Sequence, residues 1–76
     1  MKELVEYIAK TIVSYPDEVK VTEEIDREDR VLLKLEVAPD DKGKVVGRQG
    51  RVAKSIRLLL QVAAVKQGVR VNLEIV

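Results

Sequence analysis

Hydrophobic positions along this chain follow two rhythms, and the places where one gives way to the other outline its elements. Leu4, Val5, Ile8, Ile12 and Tyr15 recur at helical spacing, while Lys2, Glu3, Glu6 and Lys10 take the opposite side. Residues 2–14 are therefore predicted as an amphipathic helix, ended by Pro16 and Asp17. The period then drops to two. Val19 and Val21 alternate with Lys20 and Thr22, and Val31, Leu33, Leu35 and Val37 alternate with Leu32, Lys34 and Glu36, which predicts two strands. The charged segment Asp26-Arg27-Glu28-Asp29-Arg30 between them is costly to bury and short enough to close an antiparallel hairpin.

Pro39, Asp40 and Asp41 have the composition of a short helix start, with proline preset for the first turn and the acids at the positive end of the dipole. Adjacent acids in such a place are expected to face solvent. A longer helix is predicted from Arg51 to about Gln67, with Val52, Ala53, Ile56, Leu59, Leu60 and Ala63 as its core face and Gly68 as its stop. Val69, Val71, Leu73 and Ile75 alternate with Arg70, Asn72 and Glu74 as a third strand. The order α-β-β-α-α-β predicts an α+β fold. The apolar residues of each strand lie on one side, so the three helices cover one face of a three-stranded sheet and the other face meets water. The second and third strands, joined by a two-helix crossover, are predicted to be parallel. No repeat, linker or low-complexity segment divides the 76 residues, so residues 1–76 read as a single domain, near the lower size limit for one self-sufficient core.

Composition removes several function classes. The chain has no cysteine and no histidine, which excludes disulfides and metal sites built on thiolate or imidazole. Ser14 and Ser55 have no histidine to activate them, and Lys42-Gly43-Lys44 is not the phosphate-cradling pattern of nucleotide hydrolases. No catalytic residue, metal or cofactor is expected, and the chain does not read as an enzyme. No apolar run approaches the ~20 residues that span a bilayer, and the start lacks a signal-peptide pattern. A cytoplasmic protein without a membrane partner is expected.

Charge changes the picture most. The net charge is only +1, yet residues 1–41 carry 6 basic and 12 acidic side chains. Lys42, Lys44, Arg48, Arg51, Lys54, Arg57, Lys66 and Arg70 then follow with no acid before Glu74. A block of one sign is often only a solvated face. This block contains Gly47-Arg48-Gln49-Gly50, a tight turn between two helical patterns. Glycine makes up ~7% of average sequence, so the spacing of two glycines alone is a weak signal. Here they sit where a following helix offers unpaired N–H groups at its positive end, which suits a phosphate. The only aromatics are Tyr7 and Tyr15, so there is no aromatic platform on which bases could stack.

The element order, with Val45-Val46-Gly47-Arg48-Gln49-Gly50 between the two central helices and Ala53 and Ile56 following, resembles a type II KH domain. It is most similar to the small stand-alone bacterial KH proteins of the KhpA (YlqC) family, and the resemblance covers nearly the whole chain. It implies a cleft over the glycine turn that holds about four nucleotides of single-stranded RNA, with the loop backbone clamping the sugar-phosphate chain. On that resemblance Gly47 and Gly50 set the backbone, and Arg48 and Gln49 reach phosphates. Lys44, Arg51 and Lys54 surround the path, and Val46, Val52 and Ile56 line an apolar floor for the bases or belong to the core. Such contacts position a strand without reading it, so low sequence specificity is expected, as in an RNA chaperone or post-transcriptional regulator.

An adaptor or oligomerisation subunit is the alternative. Its motive is Leu58, Val62 and Val65, a second apolar stripe on the long helix opposite the core face. Single exposed apolar residues are normal. Three at i, i+4 and i+7 form a ridge, which predicts a partner interface, a homodimer packed helix against helix. The family resemblance also implies a heteromer with another KH-type protein.

Overall fold

A computed structural model of the chain describes residues 1–27 and 29–76, with Asp26 and Arg27 described by their backbone alone. The first helix, α1, spans Lys2–Ile12 and buries Val5 and Ala9. It stops two residues short of the predicted end, and Tyr15 lies exposed beyond it instead of on its apolar face. Val13 turns to an extended conformation, and the next two backbone N–H groups go to a side chain distant in sequence. Ser14 N–H donates to Asp41 Oδ1 at 3.1 Å and Tyr15 N–H to Asp41 Oδ2 at 3.0 Å.

After a single 3-10 turn at Pro16–Glu18, β1 (Lys20–Arg27) pairs antiparallel with β2 (Arg30–Glu36), from Lys20↔Glu36 to Arg27↔Arg30. The strand thus runs further into the charged segment than its composition predicts, with a register shift between Ile25 and Arg27. β1 is an edge strand of the sheet. The predicted loop position of Glu28, and the side chains of Asp26 and Arg27, fall outside the described residues.

Beyond β2, a 3-10 turn at Pro39–Asp41 leads into the five-residue α2 (Lys42–Val46). A second turn at Arg48–Gly50 leads into α3 (Arg51–Gln67). Gly68 ends α3 as expected, and does so in the left-handed conformation, with φ 69°. Its N–H reaches Val65 C=O, and Val69 N–H reaches Ala64 C=O. β3 (Arg70–Ile75) returns parallel to β2, giving the sheet order β1-β2-β3.

The apolar sides of the strands meet the helices in one cluster of described residues. Val21, Leu33, Leu35, Val37 and Leu73 pack with Val5, Ala9, Val45, Ile56 and Leu60. The buried stripe of α3 is Ala53, Ile56, Leu60 and Ala64. It is rotated from the predicted face: Ala63 is half-buried and Leu59 is 52% exposed. The reason lies in the neighbours. α1 packs on β1 and α3 packs on β3, so a groove separates the two helices, and Leu59 stands at its side. Among the described residues, no helix is long and apolar enough to cross a membrane.

Candidate nucleic-acid interface

The loop at residues 47–50 is held from behind by the start of α2. Asp41, predicted to face solvent, has only 1% of its surface exposed. Its two carboxylate oxygens accept the Ser14 and Tyr15 N–H groups, and Lys44 Nζ lies 3.5 Å from Oδ1. Burial pushes the Asp41 carboxyl up, but the two backbone donors and the Lys44 ammonium outweigh it and hold the group below its usual range. Its local sequence could not reveal this role, because the partners stand 26 and 27 residues away. Asp40, its neighbour, remains exposed. Lys44 also donates to Ser14 Oγ, so this predicted phosphate contact is already engaged inside the chain.

At the other end of α2 the backbone takes a path that side chains would obstruct. Gly47 has φ 77° and ψ 173°, a region essentially restricted to glycine. A Cβ on it would lie 2.5 Å from Val52 Cγ2 and 2.8 Å from Val52 N. Gly47 is therefore needed for conformation and for space. Gly50 is left-handed at φ 74°, but a Cβ there meets nothing within 4 Å. Between them Gln49 is left-handed as well, with φ 57° and ψ 25°. Gly50 N–H closes the turn onto Gly47 C=O at 3.2 Å.

The loop presents Arg48 and Gln49 to solvent, and the first turns of α3 add exposed Arg51 and Lys54. None of these four side chains has an ion-pair partner among the described residues. α3, with 17 residues, starts directly after Gly50 and directs its unpaired N–H groups and positive dipole end toward the turn.

Beside it runs the groove between α1 and α3, of about 310 Å³, lined by Ile8, Ile12, Arg51, Val52, Ser55, Ile56 and Leu59. Val52 and Ile56 were expected at such a floor. Val46 does not line this groove and sits partly exposed at the end of α2. Ile8, Ile12 and Leu59 were missed because their helical periodicity reads simply as core, and Ser55 because a lone serine carries no signal.

The other basic residues are dispersed. Arg57 Nε and Nη2 both donate to Leu73 C=O, at 3.4 and 3.3 Å, on the β3 side of α3. Lys66 lies in the last turn of α3 and Arg70 opens β3. The apolar ridge is on the surface as the helical spacing predicts, with Leu58 64%, Val62 53% and Val65 79% exposed.

This arrangement of fold and loop has known counterparts. A family model described as KhpA/KhpB, KH domain, matches residues 2–75. The chain belongs to the KhpA/KhpB KH-domain family. Its family relatives include a Clostridium acetobutylicum protein named RNA-binding protein KhpA, 53% identical over the full length of both chains. Proteins of the same name from Caldanaerobacter subterraneus, 49% identical over all of this chain, and Aquifex aeolicus, 45% identical over 99% of it and 94% of the relative, are also similar. Among solved structures, Era in complex with MgGDPNP and nucleotides of 16S ribosomal RNA aligns with a TM-score of 0.57 at 22% identity, over 97% of this chain and 28% of Era. At that identity the likeness is one of fold.

Proposed function

We propose that this chain is an RNA-binding protein that holds short single-stranded RNA across the Gly47–Gly50 loop. The carrying observation is the loop itself. Gly47 and Gly50 adopt left-handed conformations, Arg48, Arg51 and Lys54 are exposed around them, and an apolar groove begins at the same helix start. That combination accepts a phosphate chain on one side and bases on the other. Curated relatives spanning the whole chain are named as RNA-binding proteins, which supports the same reading.

In this reading Arg48, Gln49, Arg51 and Lys54 contact phosphates, Gly47 and Gly50 bring the backbone close, and Val52 and Ile56 stand near the bases, while Val46 lies outside the groove. Lys44 contributes through the long-range field of its ammonium while it stays on Asp41 and Ser14. Bases meet no aromatic platform and few directed donors, so sequence preference is weak, as suits a cytoplasmic RNA chaperone or post-transcriptional regulator. Binding, not catalysis, is the activity.

The test replaces Arg48 and Gln49 together by Asp. Two carboxylates then occupy the phosphate path while the glycines and core stay intact. Affinity for a short single-stranded RNA falls at least tenfold in fluorescence anisotropy, with an unchanged thermal melt. For single strands the slope of log K against log salt is about −0.7 per neutralised phosphate, so three or four contacts give roughly −2 to −3. Unchanged affinity in the folded variant, or a flat salt response, overturns the site.

A partner face is a second reading favoured by the exposure of Leu58, Val62 and Val65 on one ridge. It fits a second copy or another KH-type protein. Changing Val62 to Glu places an unpaired carboxylate in that contact and weakens association by orders of magnitude in sedimentation equilibrium. A variant that associates like the wild type removes this reading.

A further inference from the structure

The groove between α1 and α3 is graded from floor to rim. Projected at about 100° per residue, its α3 side runs from Ile56 through Val52 and Leu59 to Ser55 and then Arg51. Exposure follows the same order: Ile56 is buried, Val52 half-buried, and Leu59, Ser55 and Arg51 are exposed. α1 closes the other side with Ile8 and Ile12. The floor is therefore aliphatic from both helices. Among the lining residues, polarity enters at the outer lip, through one hydroxyl and one guanidinium set about one helical turn apart.

A hydrogen bond fixes the role of that hydroxyl. Ser55 Oγ donates to Arg51 C=O at 3.0 Å, the back-bond by which a serine settles into a helix. Its proton is engaged, and its oxygen keeps lone pairs for an incoming donor. Ser55 is thus an acceptor at the edge of an apolar slot. A base is a flat ring with polar edges, so one lying on Val52 and Leu59 turns an edge toward the lip. Cytosine and adenine carry an exocyclic amino donor on that edge, whereas uracil has a carbonyl where cytosine has its amino group. Two acceptors then face each other unless the hydroxyl rotates and gives up Arg51 C=O.

We propose that Ser55 is a specificity-determining residue of the groove, which accepts a hydrogen bond from the exocyclic amino group of a cytosine or adenine and so biases the site against uracil. This rests on the reading of the groove as the base side of the RNA site. On that reading Arg51 holds a phosphate at the rim, and the attached base passes Ser55 on its way to the aliphatic floor. The bias is small for two physical reasons. Ser55 is exposed, so water competes for its lone pairs, and uracil retains the weaker, rotated alternative. A net hydrogen bond of this kind changes affinity by about three- to tenfold. A preference of that size leaves the site tolerant of most sequences.

Short oligoribonucleotides of cytidine, of uridine and of 2-pyrimidinone riboside test the assignment, the last being cytosine with hydrogen in place of its amino group. In fluorescence anisotropy the wild type binds oligocytidine about three- to tenfold more tightly than either of the others. Ser55→Ala, at an exposed helix position where alanine is favourable, keeps the wild-type melt and binds all three within about twofold of one another. Ser55→Thr restores the hydroxyl and with it the order. A wild type that does not distinguish the three oligomers, or a Ser55→Ala variant that keeps their order, overturns the proposal. A Ser55→Ala variant that weakens all three alike overturns it too, since contact is then lost without selection. The loop reading fails separately: it falls if Arg48→Asp combined with Gln49→Asp leaves all three affinities unchanged. If that double variant abolishes binding while the wild type shows no order among the bases, the loop stands and Ser55 alone is removed.

Discussion

α2 has only five residues, and its two ends are built on opposite plans. At the N-terminal end the buried charge is answered within the chain: Asp41 accepts two backbone N–H groups, and Lys44 is held against Asp41 and Ser14. At the C-terminal end the backbone turns through left-handed conformations and leaves Arg48, Arg51 and Lys54 exposed. A helix of this length has little intrinsic stability. The difference shows how such an element can present a loop: one end is anchored internally through Asp41 so that the other can keep its charges for a ligand.

The sharpest way to break this comparison is at Gly47. Replacing it by Ala puts a Cβ into Val52 and forces a side chain into a backbone region reserved for glycine. A loss of roughly 3 kcal/mol in denaturant unfolding is expected. A well-folded Gly47→Ala variant of wild-type stability refutes the close approach to Val52.

Next in size is Asp41→Asn, which leaves one of the two N–H donors facing an amide NH₂. The melting midpoint drops by roughly 10 °C, while RNA affinity measured well below the midpoint changes less than about threefold. If affinity collapses and the melt does not, the two ends of α2 are not divided as described.

Gly50→Ala is milder. Its φ is left-handed, but the space is open, so the cost is about 1 kcal/mol, clearly below that at Gly47. Equal costs at the two glycines make the Val52 contact irrelevant.

The smallest effect is acidic. The Asp41 carboxyl titrates below its usual range, so its contribution is complete above about pH 4, the unfolded value, and is lost as pH falls through the lower folded value. Thermal melts of wild type and Asp41→Asn thus converge in strong acid and diverge above it. A constant gap between them at every pH assigns the stabilisation to shape instead of charge.

Local pattern carried much of this molecule. The order of elements, the antiparallel and parallel pairings and the limits of α3 were legible because each rests on short-range periodicity and on glycine or proline at element ends. The glycine turn was legible for the same reason. Asp41 was not, since its burial depends on where α1 ends, and α1 ends early because of Asp41. Leu59 was misassigned because a helical projection gives an angle but not the position of the neighbouring helix. α1 and α3 diverge there, so a residue on the expected core face borders a groove. Lys44 shows the converse: its charge was readable, its internal partner was not.

The left-handed Gln49 has a consequence for what this loop can become. Its exposed side chain is constrained by backbone conformation, not by packing. In a library randomised at positions 48 and 49, Arg48 is replaceable by almost any residue without cost to folding. At position 49, proline and the β-branched residues are depleted before any RNA is offered, and glycine and asparagine are enriched. Two adjacent positions with equal access to the ligand thus differ in evolutionary freedom, and the repertoire of grips open to the domain is set mainly by one of them.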